Sequence, residues 1–296
     1  MIDTLVIGGT GVIGYKIIES LKENNQNVEF TYFKNSVVNL EGHHLNIIDK
    51  DCTISLIKKL KPKIIINASS FTNMDLCERH KEIAYSTNVK GLENIIEAAK
   101  ICESKIIHIS TSAVFSGKKD IYKEEDKHDP ISYYGITKSI SEKILLASDV
   151  PHLIVRTDQP YCWVQKWQHE NSVIRTIQTL NKNIQLNEIT DWFNTPTYVP
   201  DFVNAIKSLI SKNEEGIIHV VGSDYISRYE YSLLVCEIFK LNKKLVQPIL
   251  SNVLKLSAKR SNVKLNNDKL IKKIGLKMKN VKEGLEMMKS EFNLIN

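Results

Sequence analysis

The chain contains no uninterrupted apolar run of about 18 residues, the minimum for a membrane-crossing helix, so no membrane span is expected. Met1 runs at once into a strand-like segment, without a basic stretch or small-residue cleavage site behind it, so no secretory signal is expected. Cysteine is sparse. The five, Cys52, Cys77, Cys102, Cys162 and Cys236, are odd in number with no pair at CxxC spacing. That argues against a zinc cluster and a fully paired disulfide framework, and predicts reduced thiols in a cytoplasmic protein with no metal site. A concentrated block of charge is also missing. The net charge of +6 is spread along the chain, and its densest groups, Lys58-Lys59-Lys61-Lys63 and Lys272-Lys273-Lys277-Lys279, read as solvated faces. No nucleic-acid partner is expected, whereas a mild positive excess suits phosphate-bearing small ligands. There is no internal repeat and no low-complexity segment.

What is present is ample for a sizeable core: 296 residues, 42% of them hydrophobic. The organising stretch is Met1–Gly14, MIDTLVIGGTGVIG. Leu5, Val6 and Ile7 open directly into Gly8, Gly11 and Gly14, and Val12 and Ile13 begin a helical pattern continued by Ile17, Ile18 and Leu21. A buried strand, a tight turn without Cβ atoms and a helix N-terminus form a site for a dinucleotide pyrophosphate.

The second strand, Val28–Phe33, should end beside the adenosine ribose. A site selective for NAD usually carries an acid there. This chain reads Thr31-Tyr32-Phe33-Lys34-Asn35, with a lysine instead. NADP(H) is therefore the expected cofactor, with NAD(H) still open. His44–Ile48 reads as a third short strand, with Asn46 suited to adenine, and Asp51–Leu60 as a helix ended by Lys61-Pro62. Lys63–Ala68 is a β-branched run with Ile64–Ile66 apolar on both faces, as in a central parallel strand, and Asn67, Ala68 and Ser69 follow against the cofactor. Asp75–Cys102 carries a helical period, Ile106–Ser110 is the next strand with His108 inside it as a packed residue, Tyr134–Leu146 is a helix and Leu153–Arg156 a strand.

This alternation predicts an α/β fold, a doubly wound parallel sheet of the Rossmann type with a smaller C-terminal cap. The expected division assigns residues 1–157 to the nucleotide-binding unit, with 191–219 returning to it, and 158–190 and 220–296 to the substrate cap. Tyr161, Cys162, Trp163 and Trp167 mark the polar, aromatic start of that cap.

The sharpest chemical signal is Tyr134-Gly135-Ile136-Thr137-Lys138. Residues four apart on a helix share a face. An ammonium beside the phenol would lower its pKa from about 10 and let it exchange protons near neutrality. Thr111, at the C-terminal end of a central strand, would bond the same carbonyl oxygen; Ser110 and Ser112 compete for that role because the register is open.

The glycine turn, the hydroxyl at a strand end and the YxxxK helix together resemble the extended short-chain dehydrogenase/reductases. Within them the chain resembles the dTDP-4-dehydrorhamnose reductase family along nearly its whole length. The matching stretches include Asn67–Asp75 (NASSFTNMD), Cys77–Gly91, Ser110–Gly117 (STSAVFSG), Tyr122–Asp126, Tyr133–Lys138, Arg156-Thr157, Thr195–Ala205 and His219–Glu230. The resemblance implies NADPH-dependent reduction of the 4-keto group of a nucleotide-linked 4-keto-6-deoxy sugar. In that reading Thr111 polarises the ketone, Tyr134 supplies the proton, and Lys138 holds the nicotinamide ribose and tunes Tyr134. Gly8, Thr10, Gly11, Val12 and Ile13 flank the pyrophosphate. Lys34 faces the 2′-phosphate, and Asn46, Ile47, Ala68 and Ser69 line the adenosine side. Ser112, Ala113, Tyr161, Trp163 and Arg260 would meet the nucleotide sugar, and a homodimer is compatible with the family.

The chain departs from the family's pattern at Ser112-Ala113 (typically Asp-Tyr), at Asp158-Gln159-Pro160 after Arg156-Thr157 (typically Ser-Trp), and at Ser261 (typically proline). These positions leave the sugar and the base open. Two other functions compete. A nucleotide-sugar epimerase or epimerase/reductase would need a second acid/base pair, for which Cys162 and His169 are the nearby residues. A non-catalytic NADP-binding subunit, similar to the regulatory subunit of methionine adenosyltransferase, would need no turnover.

Overall fold

The computed structural model describes residues 1–24, 26–35 and 41–295. The first apolar run becomes the strand Ile2–Ile7, and Pro62–Asn67 lies beside it. These two form the middle of a seven-stranded sheet ordered Gly216–His219, His152–Thr157, Lys105–Thr111, Pro62–Asn67, Ile2–Ile7, Val28–Tyr32, His43–His44. Every pairing in it is parallel. The chain order reverses between Ile2–Ile7 and Pro62–Asn67, and a crevice opens there at the carboxyl ends of the strands.

The period of two along each strand feeds two cores. Val6, Ile66, Ile107, Leu153 and Val155 face one layer, where Ile17, Ile18, Phe202, Ile206 and Leu209 meet them. Leu5, Ile7, Ile65, Ile106 and Ile154 face the other, against Ile57, Leu92, Ile95 and Leu145. Strands apolar on both faces are thus buried on both faces, as a doubly wound sheet requires.

Some expected elements change shape. Of the expected strand His44–Ile48, only His44 lies in a paired strand, His43–His44, opposite Thr31 and Tyr32. The chain then turns, because Asp49 is committed to capping the helix Lys50–Leu60 through the Cys52 amide. The expected long helix over 75–102 is divided into Met74–Arg79, Lys81–Tyr85, a π-helical turn Ser86–Lys90, and Gly91–Cys102. The π turn carries Asn88, which accepts from the Phe71 amide and the Ser70 hydroxyl and donates to Phe71 O and Thr137 Oγ1. It ties the loop after Pro62–Asn67 to the helix Tyr133–Leu146.

A separate core unites the helices Ser172–Asn181, Arg228–Phe239 and Val281–Ile295 through Val173, Ile174, Tyr231, Val235, Leu285 and Met288. The division expected at residue 220 falls differently in the packing. Leu270 and Met278 are buried in the main core, and Ile274 and Leu276 pack against it. The helix Asp268–Ile274 lies on Val199–Ser211 and Gly216–His219 and buries Leu270 there.

Candidate active site

The crevice is a cavity of about 760 Å³ that runs from the glycine turn to the cap. Gly8, Thr10, Gly11, Val12 and Ile13 line one end together with Lys34, Asn46, Ile47, Ala68 and Ser69. Gly8 holds φ +81° and a Cβ there would meet the Ser69 backbone at 2.9 Å, so the turn needs glycine on both counts. The helix behind it, Val12–Glu23, has no side-chain N-cap, which leaves its first amides for a ligand anion. Lys34 is exposed at the cavity edge and makes no ion pair among the described residues. These groups fit a dinucleotide: small residues under a pyrophosphate, free amides beside it, and a cation where a 2′-phosphate would lie.

The other end holds Thr111, Ser112, Ala113 and Tyr134. Thr111 closes the strand Lys105–Thr111, and its Oγ1 accepts from the Ala113 amide at 3.2 Å. Tyr134 opens the helix Tyr133–Leu146, which Ser132 caps through the Gly135 amide. A Cβ on Gly135 would come within 2.1 Å of Ala113 O, so glycine lets the helix settle against the Thr111 turn. Burial raises the Tyr134 phenol above its ordinary pKa, while hydrogen bonds with Thr111 and Ser70 pull it back. The lowered pKa expected from Lys138 is therefore overturned. Lys138 is 1% exposed and does not line the cavity; its Nζ lies 2.9 Å from His108 Nε2 and 2.8 Å from Ile109 O. Beneath it, Glu142 is held well below the usual carboxylate range: burial opposes ionisation, but His128, Arg156 and Ser110 together outweigh it.

Two expected substrate residues are elsewhere. Tyr161 is 1% exposed in the cap core, packed against Tyr198 and Tyr231. Trp163 donates its indole N–H to Met288 O and packs edge-on to Phe239. Both fill the space under the helix Val281–Ile295 and neither lines the cavity. Arg260 does line it, paired with Asp75 and lying 5.5 Å over the Trp192 ring. Cys162 is buried in the main core with its thiol pushed up to about 12 by burial, which removes it as an acid/base group, while His169 is exposed on the cavity wall.

Of the other residues of the wall, the sequence marks Asp158 only within a departure from the family's pattern and does not single out Asn194 or Trp192. Asp158, 6% exposed, accepts from the Thr195 amide at 2.9 Å and sits beside Ser112 and Asn194; burial raises its carboxyl to about 6. Asn194 is buried with its Oδ1 unpartnered. Trp192 lies under both Arg228 and Arg260. The position of Asp158 just past the strand end was a usable signal; Trp192 and Asn194 reach the site only through tertiary folding.

The family model described as RmlD substrate binding domain matches residues 2–294. The dTDP-4-dehydrorhamnose reductase of Aggregatibacter actinomycetemcomitans is 30% identical over 257 residues, 84% of this chain and 81% of that one. Methionine adenosyltransferase 2 subunit beta of Xenopus tropicalis is 26% identical over 279 residues, 92% of this chain and 82% of its own length. The structure of the Bacillus anthracis dTDP-4-dehydrorhamnose reductase in complex with NADP superposes with a TM-score of 0.89 at 24% identity, covering 98% of this chain and 99% of that one, and shows the same fold. With the glycine turn, the parallel sheet and the Thr111–Tyr134 pair meeting at one crevice, the chain belongs to the RmlD family of extended short-chain dehydrogenase/reductases.

Proposed function

We propose that this protein reduces the 4-keto group of a nucleotide-linked 4-keto-6-deoxy sugar with NADPH, in deoxysugar biosynthesis. The observation that carries the reading is that Tyr134 and Thr111 both line a cavity that continues into the glycine turn. Gly8, Thr10, Gly11, Val12 and Ile13 would hold the pyrophosphate of the cofactor, Lys34 its 2′-phosphate, and Asn46, Ile47, Ala68 and Ser69 the adenosine. The cofactor, when bound, supplies a hydride to the sugar carbonyl. Tyr134 donates its phenolic proton to the oxygen that becomes a hydroxyl, and Thr111 hydrogen-bonds that oxygen and fixes its direction. A phenol whose pKa is raised by burial stays protonated at neutral pH, the state an acid in a reduction needs. Arg260, on Trp192 and beside Asp75, would meet the nucleotide diphosphate, and Ser112, Ala113 and Asp158 the sugar, a reading supported by their shared place on the cavity wall. The five free cysteines accord with a cytoplasmic setting.

The test is NADPH oxidation with a dTDP- or UDP-linked 4-keto-6-deoxyhexose. A second reading, a non-catalytic NADP-binding subunit, is favoured by the likeness to the methionine adenosyltransferase subunit and by the inward turn of Lys138. Tight NADPH binding without turnover of any keto-sugar would put that reading first.

A further inference from the structure

Below the cavity a chain of hydrogen bonds runs from a backbone amide to Lys138, and its polarity can be followed one link at a time. The Ser69 amide lies 3.1 Å from Asn67 Oδ1, and the Ser69 hydroxyl 2.6 Å from the same oxygen. A backbone N–H only donates, so this atom of Asn67 is the carbonyl oxygen and the amide nitrogen points the other way. That nitrogen is 3.2 Å from His108 Nδ1. An amide nitrogen only donates, so His108 Nδ1 accepts and carries no proton. His108 is 1% exposed, and burial drives its pKa well below the usual value, so the ring is neutral. The one ring proton is then on Nε2, and it faces Lys138 Nζ at 2.9 Å. An ammonium has three donors and no acceptor; only a neutral amine can receive this N–H, while still donating to Ile109 O at 2.8 Å.

We propose that Asn67 and His108 are a positioning pair that holds Lys138 as a neutral amine, so that NADPH binding to this protein takes up a proton whenever Lys138 is required as an ammonium at the ribose. The second clause rests on the ribose role given to Lys138 above; the first rests on the hydrogen bonds alone. The surroundings act in the same direction. Burial lowers Lys138 to about 8, with Glu142 opposing, and the N–H donated by His108 to the amine lone pair adds to that lowering. Its own helix carries Tyr133, Tyr134, Glu142 and Lys143, of which Tyr134 and Glu142 lie one turn to either side of it. His108 faces it from the strand Lys105–Thr111, Glu142 is itself paired with Arg156, and Asp158 lines the cavity. Asn67, from the neighbouring strand, adds no charge.

The sign is fixed. If the complex needs the ammonium and the unliganded protein holds the amine above pH 8 or somewhat below, the NADPH dissociation constant is flat on the acid side of that point. It then rises by up to tenfold per pH unit on the alkaline side. An ordinary lysine would place the break above about 10.

The experiment has two readouts on the full-length protein. In nitrogen-15 spectra of the histidine rings at pH 8.5, His108 is expected as the neutral Nε2–H tautomer, assigned by its disappearance in His108→Gln. Should that variant not fold, Asn67→Asp provides the assignment, because an acid at 67 accepts from Nδ1 and reverses the tautomer. NADPH titration by fluorescence from pH 6.5 to 9.5 is expected to weaken above the break, and the break to move upward in Asn67→Asp. A His108 ring protonated at Nδ1 overturns the pair's role whatever the enzyme does. The expected tautomer with a dissociation constant flat to pH 9.5 overturns the proton uptake and the ribose role of Lys138, leaving the pair. Absence of keto-sugar turnover affects neither readout, so failure of the reductase reading is told apart from failure of this one.

Discussion

Tyr134 and Thr111 divide one task unequally. In the proposed reduction the phenol would carry the proton that leaves, while Thr111 also holds the turn after its strand by accepting from the Ala113 amide. Tyr134→Phe keeps the ring and its packing but removes the acid, so turnover should fall by about 10²–10⁴-fold, or roughly 3–5 kcal/mol of barrier, with NADPH binding unchanged. A variant within threefold of wild type would place the acid elsewhere. Thr111→Val should cost less, since one hydrogen bond to the oxygen is lost. Lys34 makes a separate prediction. Lys34→Ala should weaken NADPH about tenfold, near 1.4 kcal/mol, and leave NADH unaffected, as two titrations would show. Equal loss of both cofactors would mean that Lys34 does not read the 2′-phosphate. Single residues were legible to different depths. The glycines and the Tyr134–Lys138 spacing stand out locally, whereas the choice of Thr111 over Ser110 and Ser112 comes only from the family resemblance. The direction of Lys138 was not legible, because it is decided by His108 and Asn67 on neighbouring strands. Tyr161 and Trp163 looked like ligand-facing aromatics only because a cap core built from distant helices was invisible in their local sequence.

The helix Tyr133–Leu146 is the element on which the site depends for alignment. Ser132 fixes its start, Asn88 holds Thr137 from the π turn, and Gly135 permits contact with Ala113 O. A methyl group at 135 has to push the helix or the turn aside, and both bear groups assigned to the proposed reduction. Gly135→Ala should therefore cost about 1–3 kcal/mol of stability and roughly 10²-fold in turnover, with NADPH affinity nearly kept because the glycine turn is remote. Unchanged turnover in a folded variant would show that the alignment of Tyr134 with Thr111 tolerates the shift. Strands and helices of the first half were legible from their periods, since each strand is buried on both faces. The π turn was not, because its cause is Asn88 bonding to a loop and a helix from which it is separated in sequence. The short His43–His44 pairing lost its predicted length to a cap that local periodicity does not report.

At the scale of the whole molecule, cap and sheet meet where Asp158 gathers Thr195, Asn194 and Ser112. The doubly wound half was legible because its alternation is local; the return of Leu270 and Met278 to the main core was not, because one amphipathic stripe can cover either unit. The junction carries a cost. A folded-state carboxyl pKa of about 6, against about 3.8 unfolded, means that the folded protein holds this proton more tightly. The stability deficit is absent below about pH 3.8, grows as pH rises towards 6, and is complete above it, where two pKa units amount to roughly 3 kcal/mol. Buried neutral His108 and His219, the latter lowered to about 3 by burial and then by Arg156, act oppositely and lose stability as pH falls below about 6.5. Asp158→Asn isolates the first effect. Its carbonyl can keep the Thr195 amide, and its NH₂ can donate to the Ser112 hydroxyl. The melting temperature should exceed that of wild type at pH 7.5, and the gap should shrink by pH 5, while keto-sugar turnover declines if the carboxylate serves the sugar. A melting temperature lowered at pH 7.5, or a gap that does not change with pH, would show that Asp158 stabilises the junction and that its charge is not what the fold resists.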